Sequence, residues 1–377
     1  MKHIVRNLTL LSCVGSSAFA APFLAIGDNA ELFATADARV AYNDNILLAA
    51  SGVEKEDTVF TFVPGFDLEF GKDSQLKGSV LGTATLTSYA DNKELNNQLL
   101  GILGNSTYDN GSLKLAANLG FQELDQPTVD VIPTAGKLVE RHLGTAGVNA
   151  ELAFTQKISG GLGVSYTHTD YKDPGYTESQ DYTVPVNIYY ELTPKVDLSA
   201  GVRYTYSDLD NGYEYNAYYY NVGARGAFTP KLSGSFSVGY NTRTVNIGPD
   251  DDGSIGADAS LAYAYSDKTQ FSLALSRNFS NATSGGSSYE NSELTLGASS
   301  AVTVDWRLNA ALTYRMLDYQ TFSRTDDYYE ASVGATYIIN SHLSTSLSYL
   351  YRDNTSDAGA AAEFSNNVVS LSISARY

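Results

Sequence analysis

From residue 31 to the final Tyr377, apolar and polar residues change places at almost every step. The end of the chain shows it best: Val369, Leu371, Ile373, Ala375 and Tyr377 alternate with Ser370, Ser372, Ser374 and Arg376. Side chains point to opposite faces along a strand, so this stretch predicts a strand with one greasy face, one wet face and a terminal ring. The same reading over the first hairpin sets Leu32, Ala34, Ala36, Ala38, Val40 and Tyr42 against Phe33, Thr35, Asp37, Arg39, Ala41 and Asn43. Phe60, Phe62, Phe66, Leu68 and Phe70 then oppose Thr61, Gly65, Asp67 and Glu69. The segments around 75–89 and 99–108 read apolar on both faces, and only their Gly, Thr and Ser content favours strand over helix.

Turn signals punctuate this alternation. Short connections fall at Gly71–Ser74, Asp109–Ser112, Gln156–Ile158, Thr193–Lys195, Thr229–Lys231, Ser266–Lys268, Val304–Trp306 and Asn340–His342. Thr-Pro-Lys occurs at two of them, with Pro presetting the turn at its second position. Polar loops intervene at Asp170–Gly175, Ser207–Gly212, Gly248–Gly253 and Ser280–Gly286, and the longest is expected over Glu123–Lys137, with Pro127 and Pro133. Alternating short and long connections describe a meander of hairpins, one per repeat.

Aromatic placement decides what surrounds that meander. Beside the short turns the outward residue is Phe70, Tyr108, Phe154, Tyr190, Phe228, Tyr265, Tyr337 and Tyr377. Beside the long loops it is Tyr42, Phe121, Tyr166, Tyr206, Tyr240, Phe279, Tyr314 and Tyr351. A soluble sandwich buries its aromatics in mid-strand, whereas two rings at the strand ends match the girdles of a membrane barrel at headgroup level. The expected fold is all-β: a transmembrane antiparallel up-and-down β-barrel of about 18 strands, with 16 also fitting, over residues 31–377.

The N-terminus reads as a secretory leader. Lys2 and Arg6 precede a short apolar run, Leu8 to Gly15, and Ala18-Phe19-Ala20 fits small-x-small cleavage before Ala21. The run falls well short of the roughly 20 apolar residues of a spanning helix. A lipoprotein reading at Cys13 leaves too little apolar run before it. Residues 1–20 are therefore expected to leave as a signal peptide, with 21–30 a short periplasmic lead-in. Cys13 is the only cysteine, so the mature chain carries no disulfide and no thiolate metal site. The formal charge is −18, which disfavours nucleic acid as a partner.

Val40–Ile46, Asp57–Phe66 and Lys195–Tyr204 resemble the outer-membrane beta-barrel porin family of Gram-negative bacteria, some of whose members are associated with exopolysaccharide export. The resemblance implies a barrel and a porin-like role over most of 31–377, and it supplies no catalytic residues.

By alternation the lumen face holds Asp37, Asp67, Glu69, Glu151, Asp197, Asp258 and Glu330 against Arg39, Lys77, Lys114, Arg141, Arg203, Arg225, Arg315 and Arg376. These signs nearly balance, so the acidity belongs mostly to loops, at Glu54, Glu56, Asp57, Asp125, Asp130, Asp173, Glu178, Asp208, Asp210 and Asp250 to Asp252. A barrel this wide keeps an aqueous channel unless a loop folds in. An acidic mouth over a mixed wall predicts weak cation preference, sensitive to salt; the same loops would equally serve to solvate the exposed end or meet lipopolysaccharide through divalent ions.

Competing chemistry is thin. Asp250–Asp252 lacks the spacing of an EF-hand loop. Tyr213–Tyr220 could stack on sugars, yet reads better as a strand start with Tyr218 and Tyr220 outward and Tyr219 inward. His142 and His168 could approach beside Ser165 and Asp170, but Ser165 and His168, three apart on a strand, face opposite sides. The expectation is a passive channel for ions and small polar solutes, with no enzyme activity, metal or cofactor. The alternatives are a conduit for exported polysaccharide, as the resemblance implies, or a non-conducting anchor or scaffold barrel. Expected partners are outer-membrane lipid, lipopolysaccharide and the barrel-assembly machinery, the last through the strand ending at Tyr377.

Overall fold

The computed structural model describes residues 22–27, 29–127, 137–247, 252–281, 288–319 and 323–377. A short strand, β1 (Leu24–Ile26), precedes β2 (Ala30–Asn43), β3 (Asp57–Phe70), β4 (Leu76–Tyr89), β5 (Asn97–Asp109), β6 (Leu113–Gln126) and β7 (Val139–Ala153). Then come β8 (Ile158–Tyr171), β9 (Ser179–Thr193), β10 (Val196–Leu209), β11 (Glu214–Ala227), β12 (Leu232–Val245) and β13 (Asp252–Ala264). The chain finishes with β14 (Thr269–Asn281), β15 (Ser288–Ala301), β16 (Trp306–Tyr319), β17 (Arg324–Ile338), β18 (Leu343–Ser356) and β19 (Phe364–Arg376).

Each strand from β2 onward pairs antiparallel with its chain neighbours, and β19 pairs with β2 from Val368↔Asn43 to Arg376↔Thr35. That last ladder closes the sheet on itself as an 18-stranded barrel and removes both sheet edges. The two weak segments are strands, β4 and β5. Leu81 and Leu103, paired across them, both face inward, which is why neither strand showed a clean alternation. β1 is a refinement of the expected lead-in: Leu24 pairs with Leu32 and Ile26 with Ala30, on the edge of β2 just beyond the point where Ala34 meets Tyr377.

Strands run longer than the expected loops allowed. Ser207 and Asp208 lie inside β10, and Glu123 and Asp125 inside β6, so the β6–β7 connection narrows to 127–138. A 14-residue strand such as β3 rises about 46 Å along its axis and about 35 Å along a barrel at about 40° tilt, against an apolar band about 25 Å tall. About 10 Å of wall must therefore stand outside the membrane. The turn-end rings sit within a residue or two of the short turns, so the excess lies at the loop end.

Candidate functional site

The register carries one inside and one outside face from strand to strand, with a shift at the turn end of the β9–β10 ladder between Val196 and Asp197. Through the middle of the wall the outward face is apolar, with Phe60, Phe66, Val186, Val238, Leu312, Val333 and Leu347 all exposed. Each of the aromatics expected at the strand ends falls on this outward face. Tyr190, Tyr265, Tyr337 and Tyr377 are exposed at the turn end, where Phe70 and Phe228 share their level, and Tyr42 and Tyr240 are exposed at the loop end. Tyr166, Tyr206, Tyr314 and Tyr351 complete the loop-end set, and their neighbours join it edge to edge, with Tyr166 4.9 Å from Tyr182 and Tyr314 5.1 Å from Tyr329. Several of these hydroxyls donate towards the loops: Tyr314 to Asp327 at 2.5 Å, Tyr351 to Asp353 at 3.2 Å, Tyr42 to Glu56 at 2.5 Å. A ring in the apolar band with its hydroxyl on a carboxylate marks where that band stops.

All fifteen charged residues assigned to the lumen by alternation lie on the inward face. They are not equivalent. Arg39, Lys77 and Lys114 are exposed to the interior. Most of the others are bound along the wall. Arg225 makes a bidentate pair with Glu151 (2.7 and 2.8 Å), meets Asp197 at 3.0 Å and lies over the Tyr189 ring. To reach β7 from β11 it passes β8, β9 and β10, so the wall curves tightly there. Inward Gly161, Gly163 and Gly201 leave the room: a Cβ on Gly163 or Gly201 would strike the side chain of Asn149 or Asn187. Arg203 holds Asp258 at 3.1 Å over Tyr219, and Arg376 holds Asp67 at 2.9 Å and also Glu69, over Phe33. Asp37 accepts from Ser374 at 2.6 Å, Arg141 reaches the Tyr171 hydroxyl at 3.5 Å, and Glu330 accepts from Tyr328 at 2.7 Å. Arg315 stands between Glu293 and Tyr328 in the register.

At the loop end the chemistry of the two faces inverts, which alternation had not predicted. Outward positions become Glu123, Asp125, Asp170, Asp208, Glu214, Asp318, Asp327 and Asp353. Inward positions become Leu124, Val139, Tyr171, Leu209, Tyr215, Leu317, Tyr319, Tyr328 and Phe364, all buried. The expectation of a polar inward face with its rings outside is therefore corrected here. Above the bilayer there is water on the outside, so apolar side chains turn in, as in a soluble β-protein.

The β2–β3 loop completes this inner core. Ile46, Leu48 and Ala49 are buried, and Leu48 packs with Tyr328 and Phe364. Asn45, 1% exposed, donates to the carbonyls of Ala49 (2.8 Å) and Ser365 (3.0 Å) and accepts from the Ala49 N–H. Asn366 ties the same loop through Asn43 and the Asn45 carbonyl. Nearer the loop end of β17 lies an ion pair with almost no solvent: Arg324 and Asp326 have side chains 2% and 0% exposed. Arg324 stacks 4.8 Å from Tyr319, and Ser356 donates to Asp326 at 2.6 Å.

Asp57, expected among the loop acids, is instead a structural anchor. It is 2% exposed and accepts from the Ala90, Asp91 and Asn92 N–H groups and the Asn92 amide, which ties down the β4–β5 connection. Glu178, between β8 and β9, has its carboxyl pushed up by burial and by nearby Asp170 and Asp210. The run Asp250–Asp252 lies outside the described residues as far as its side chains go. His142 and His168 both face outward, His142 3.4 Å from Asp170, while Ser165 faces the lumen. Among the described residues no cluster of metal-ligating side chains occurs.

The inward face also carries Asp181, Arg243, Glu293, Arg307, Arg324, Asp326 and Arg352, which the alternation of the sequence did not single out. Continuing the alternation past Tyr206 or Tyr314 would have found Asp181, Arg324 and Asp326; the polarity reversal there imitates the end of a strand.

A closed meander, apolar without and polar within over a membrane's thickness, defines a β-barrel of the bacterial outer-membrane type. The family described as Putative beta-barrel porin 2 has a model that matches residues 209–377, from the loop end of β10 to Tyr377. Solved structures similar to the chain include outer membrane protein OpdK of Pseudomonas aeruginosa, at 10% identity and TM-score 0.48 over 92% of this chain and 99% of that one. OccAB4 of Acinetobacter baumannii is similar at 12% identity and TM-score 0.46 (93% and 98% covered). A mutant of the ferric enterobactin receptor PfeA of Pseudomonas aeruginosa is similar at 11% and 0.49 (92% and 80%). No curated protein matches.

Proposed function

We propose that the protein is a porin-like channel with a partly covered mouth, passing ions and small polar solutes across the outer membrane with weak cation preference. One observation carries this. Arg39, Lys77 and Asn105 point into a closed barrel and are still exposed, so the wall around them encloses space that water fills. Charges that instead pair along the wall, such as Arg203 with Asp258, leave that space free while keeping it polar. The inward β2–β3 loop narrows the entrance on the β17–β19 side. Cation preference comes from the acidic loop-end rim and weakens as salt screens it.

On this reading the leader is cleaved after Ala20, and outer-membrane lipid contacts the apolar band. Lipopolysaccharide meets the acidic rim, and the barrel-assembly machinery takes up the strand ending at Tyr377. Nothing is assigned to catalysis, because His142 and His168 turn away from the lumen that Ser165 faces. Single-channel recording from the purified barrel tests the proposal, with ohmic steps and a modest cation-selective reversal potential expected. Silence that ends only when 44–56 is deleted would favour the gated-conduit alternative, and silence in both forms would favour a scaffold.

A further inference from the structure

Neighbouring strands stay paired to their loop ends around most of the wall. β14 meets β15 up to Asn281↔Ser288, and β16 meets β17 up to Tyr319↔Arg324. The β13–β14 ladder stops early, at Ala257↔Arg277. Above that point β13 goes on pairing with β12 as far as Arg243↔Asp252, and β14 goes on with β15, but the two edges have parted. The β5–β6 ladder also ends early, at Gly101↔Gln122, yet it is stitched: Glu123 accepts from the Leu100 N–H at 2.9 Å, and Asn97 donates to Asp125 at 2.7 Å.

The β13–β14 slit is closed differently, by side chains from β12 behind it. The Asn241 amide donates to the Arg277 carbonyl at 3.1 Å. It lies across Gly256, where a Cβ would come within 2.6 Å of that amide nitrogen and 2.5 Å of the Tyr219 ring, so only glycine admits the latch. Above it the Arg243 guanidinium stacks 4.1 Å over Tyr215 and lies 5.8 Å from Phe279. Arg243 belongs to the lumen face and Phe279 to the outward face. One cation and one ring thus flank the same opening from its two sides. The opening lies at the level of the loop-end aromatics, where Ile255 on its outer rim is 63% exposed. That is the headgroup level of the outer leaflet.

The geometry points to a lateral window between β13 and β14, through which an amphiphile with an apolar body and an anionic head passes between lumen and outer leaflet. Asn241 is its latch, and Arg243 receives the head while Tyr215 and Tyr219 accept the body. The inference rests on the membrane-spanning reading of the wall, and it does not need the barrel to conduct ions.

The test uses the full barrel in phospholipid vesicles with a photoreactive laurate, and mass spectrometry of the labelled peptides. Wild type should label the inward Tyr215–Tyr219 stretch, and excess laurate but not acetate should compete. Asn241→Ala should raise that labelling about fivefold, the weight of one neutral hydrogen bond. A reducible disulfide made from Ile255→Cys and Phe279→Cys should abolish it, with recovery on reduction. Ion conductance is recorded separately on the same samples, so a silent barrel would count against the channel and not against the window. Labelling confined to outward Ile255, Leu273 and Phe279 in every variant would overturn the window, as would inward labelling that survives the staple. Should the stapled barrel fail to fold, the wild-type and Asn241→Ala arms still decide.

Discussion

Strand β16 passes through both regions of the molecule, and they obey opposite rules. From Trp306 to Tyr314 its outward positions are Trp306, Leu308, Ala310, Leu312 and Tyr314, while Arg307, Asn309, Ala311 and Thr313 line the lumen. Past Tyr314 the backbone continues unchanged, but Asp318 now faces out while Leu317, 0% exposed, and Tyr319 face in. Nothing in strand geometry demands the switch. The surrounding solvent does: lipid outside and water inside below the loop-end tyrosines, water outside and a packed core inside above them. One pleat thus serves as membrane wall and, a few residues on, as the rim of a soluble-style domain.

The comparison can be broken most severely at the buried ion pair. Asp326→Ala strands Arg324 in a dry core and should destabilise the barrel by about 3–5 kcal/mol, whereas replacing both partners by Leu should cost far less. Urea unfolding of the detergent-solubilised barrel measures both. Next comes a pair of identical substitutions on one face of β17. Val333→Arg, in the apolar band, should cost about 2–4 kcal/mol, and Thr325→Arg, above it, should stay within about 0.5 kcal/mol. Equal losses at the two sites would mean that lipid reaches both.

Asn45→Ala sharpens the mouth. It removes the bonds that hold the β2–β3 loop against β19, a loss of about 1–3 kcal/mol. Single-channel conductance should rise, and protease should begin to cut within 44–56. The smallest effect concerns charge at the rim. Burial raises the Glu178 carboxyl, so as pH falls it should take up its proton before ordinary carboxylates do. Cation preference should accordingly show an early decline on acidification, which Glu178→Gln removes. Reversal potentials across a pH series at low salt detect it.

How legible the sequence was divides along the same boundary. Alternation alone placed the fifteen lumen charges and the aromatic ring positions on the faces the register assigns them. That was possible because lipid punishes any outward polar residue and so keeps the pattern clean. β4 and β5 were blurred because Leu81, Leu99 and Leu103 face the lumen, where a leucine is tolerated. Above the band the pattern persisted with its signs exchanged, so Ser207–Asp208–Leu209 passed for loop although it is strand. Loop placement was the least legible. That Asn45 and Leu48 turn inward depends on Ser365, Tyr328 and Phe364, some three hundred residues away in the chain, and no local signal records such a contact. The parted β13–β14 ladder was invisible for the same reason.

The two faces of one strand exchange solvents at the loop-end tyrosines. In a chain carrying Cys13→Ser, single cysteines at Val333, Ser332, Thr325 and Leu317 can be spin-labelled in the folded barrel and relaxed by oxygen or by a water-soluble nickel chelate. Oxygen should dominate at Val333 and nickel at Ser332 and Thr325, with protection from both at Leu317. Nickel access at Leu317 equal to that at Ser332, or oxygen dominance at Thr325, would contradict that exchange.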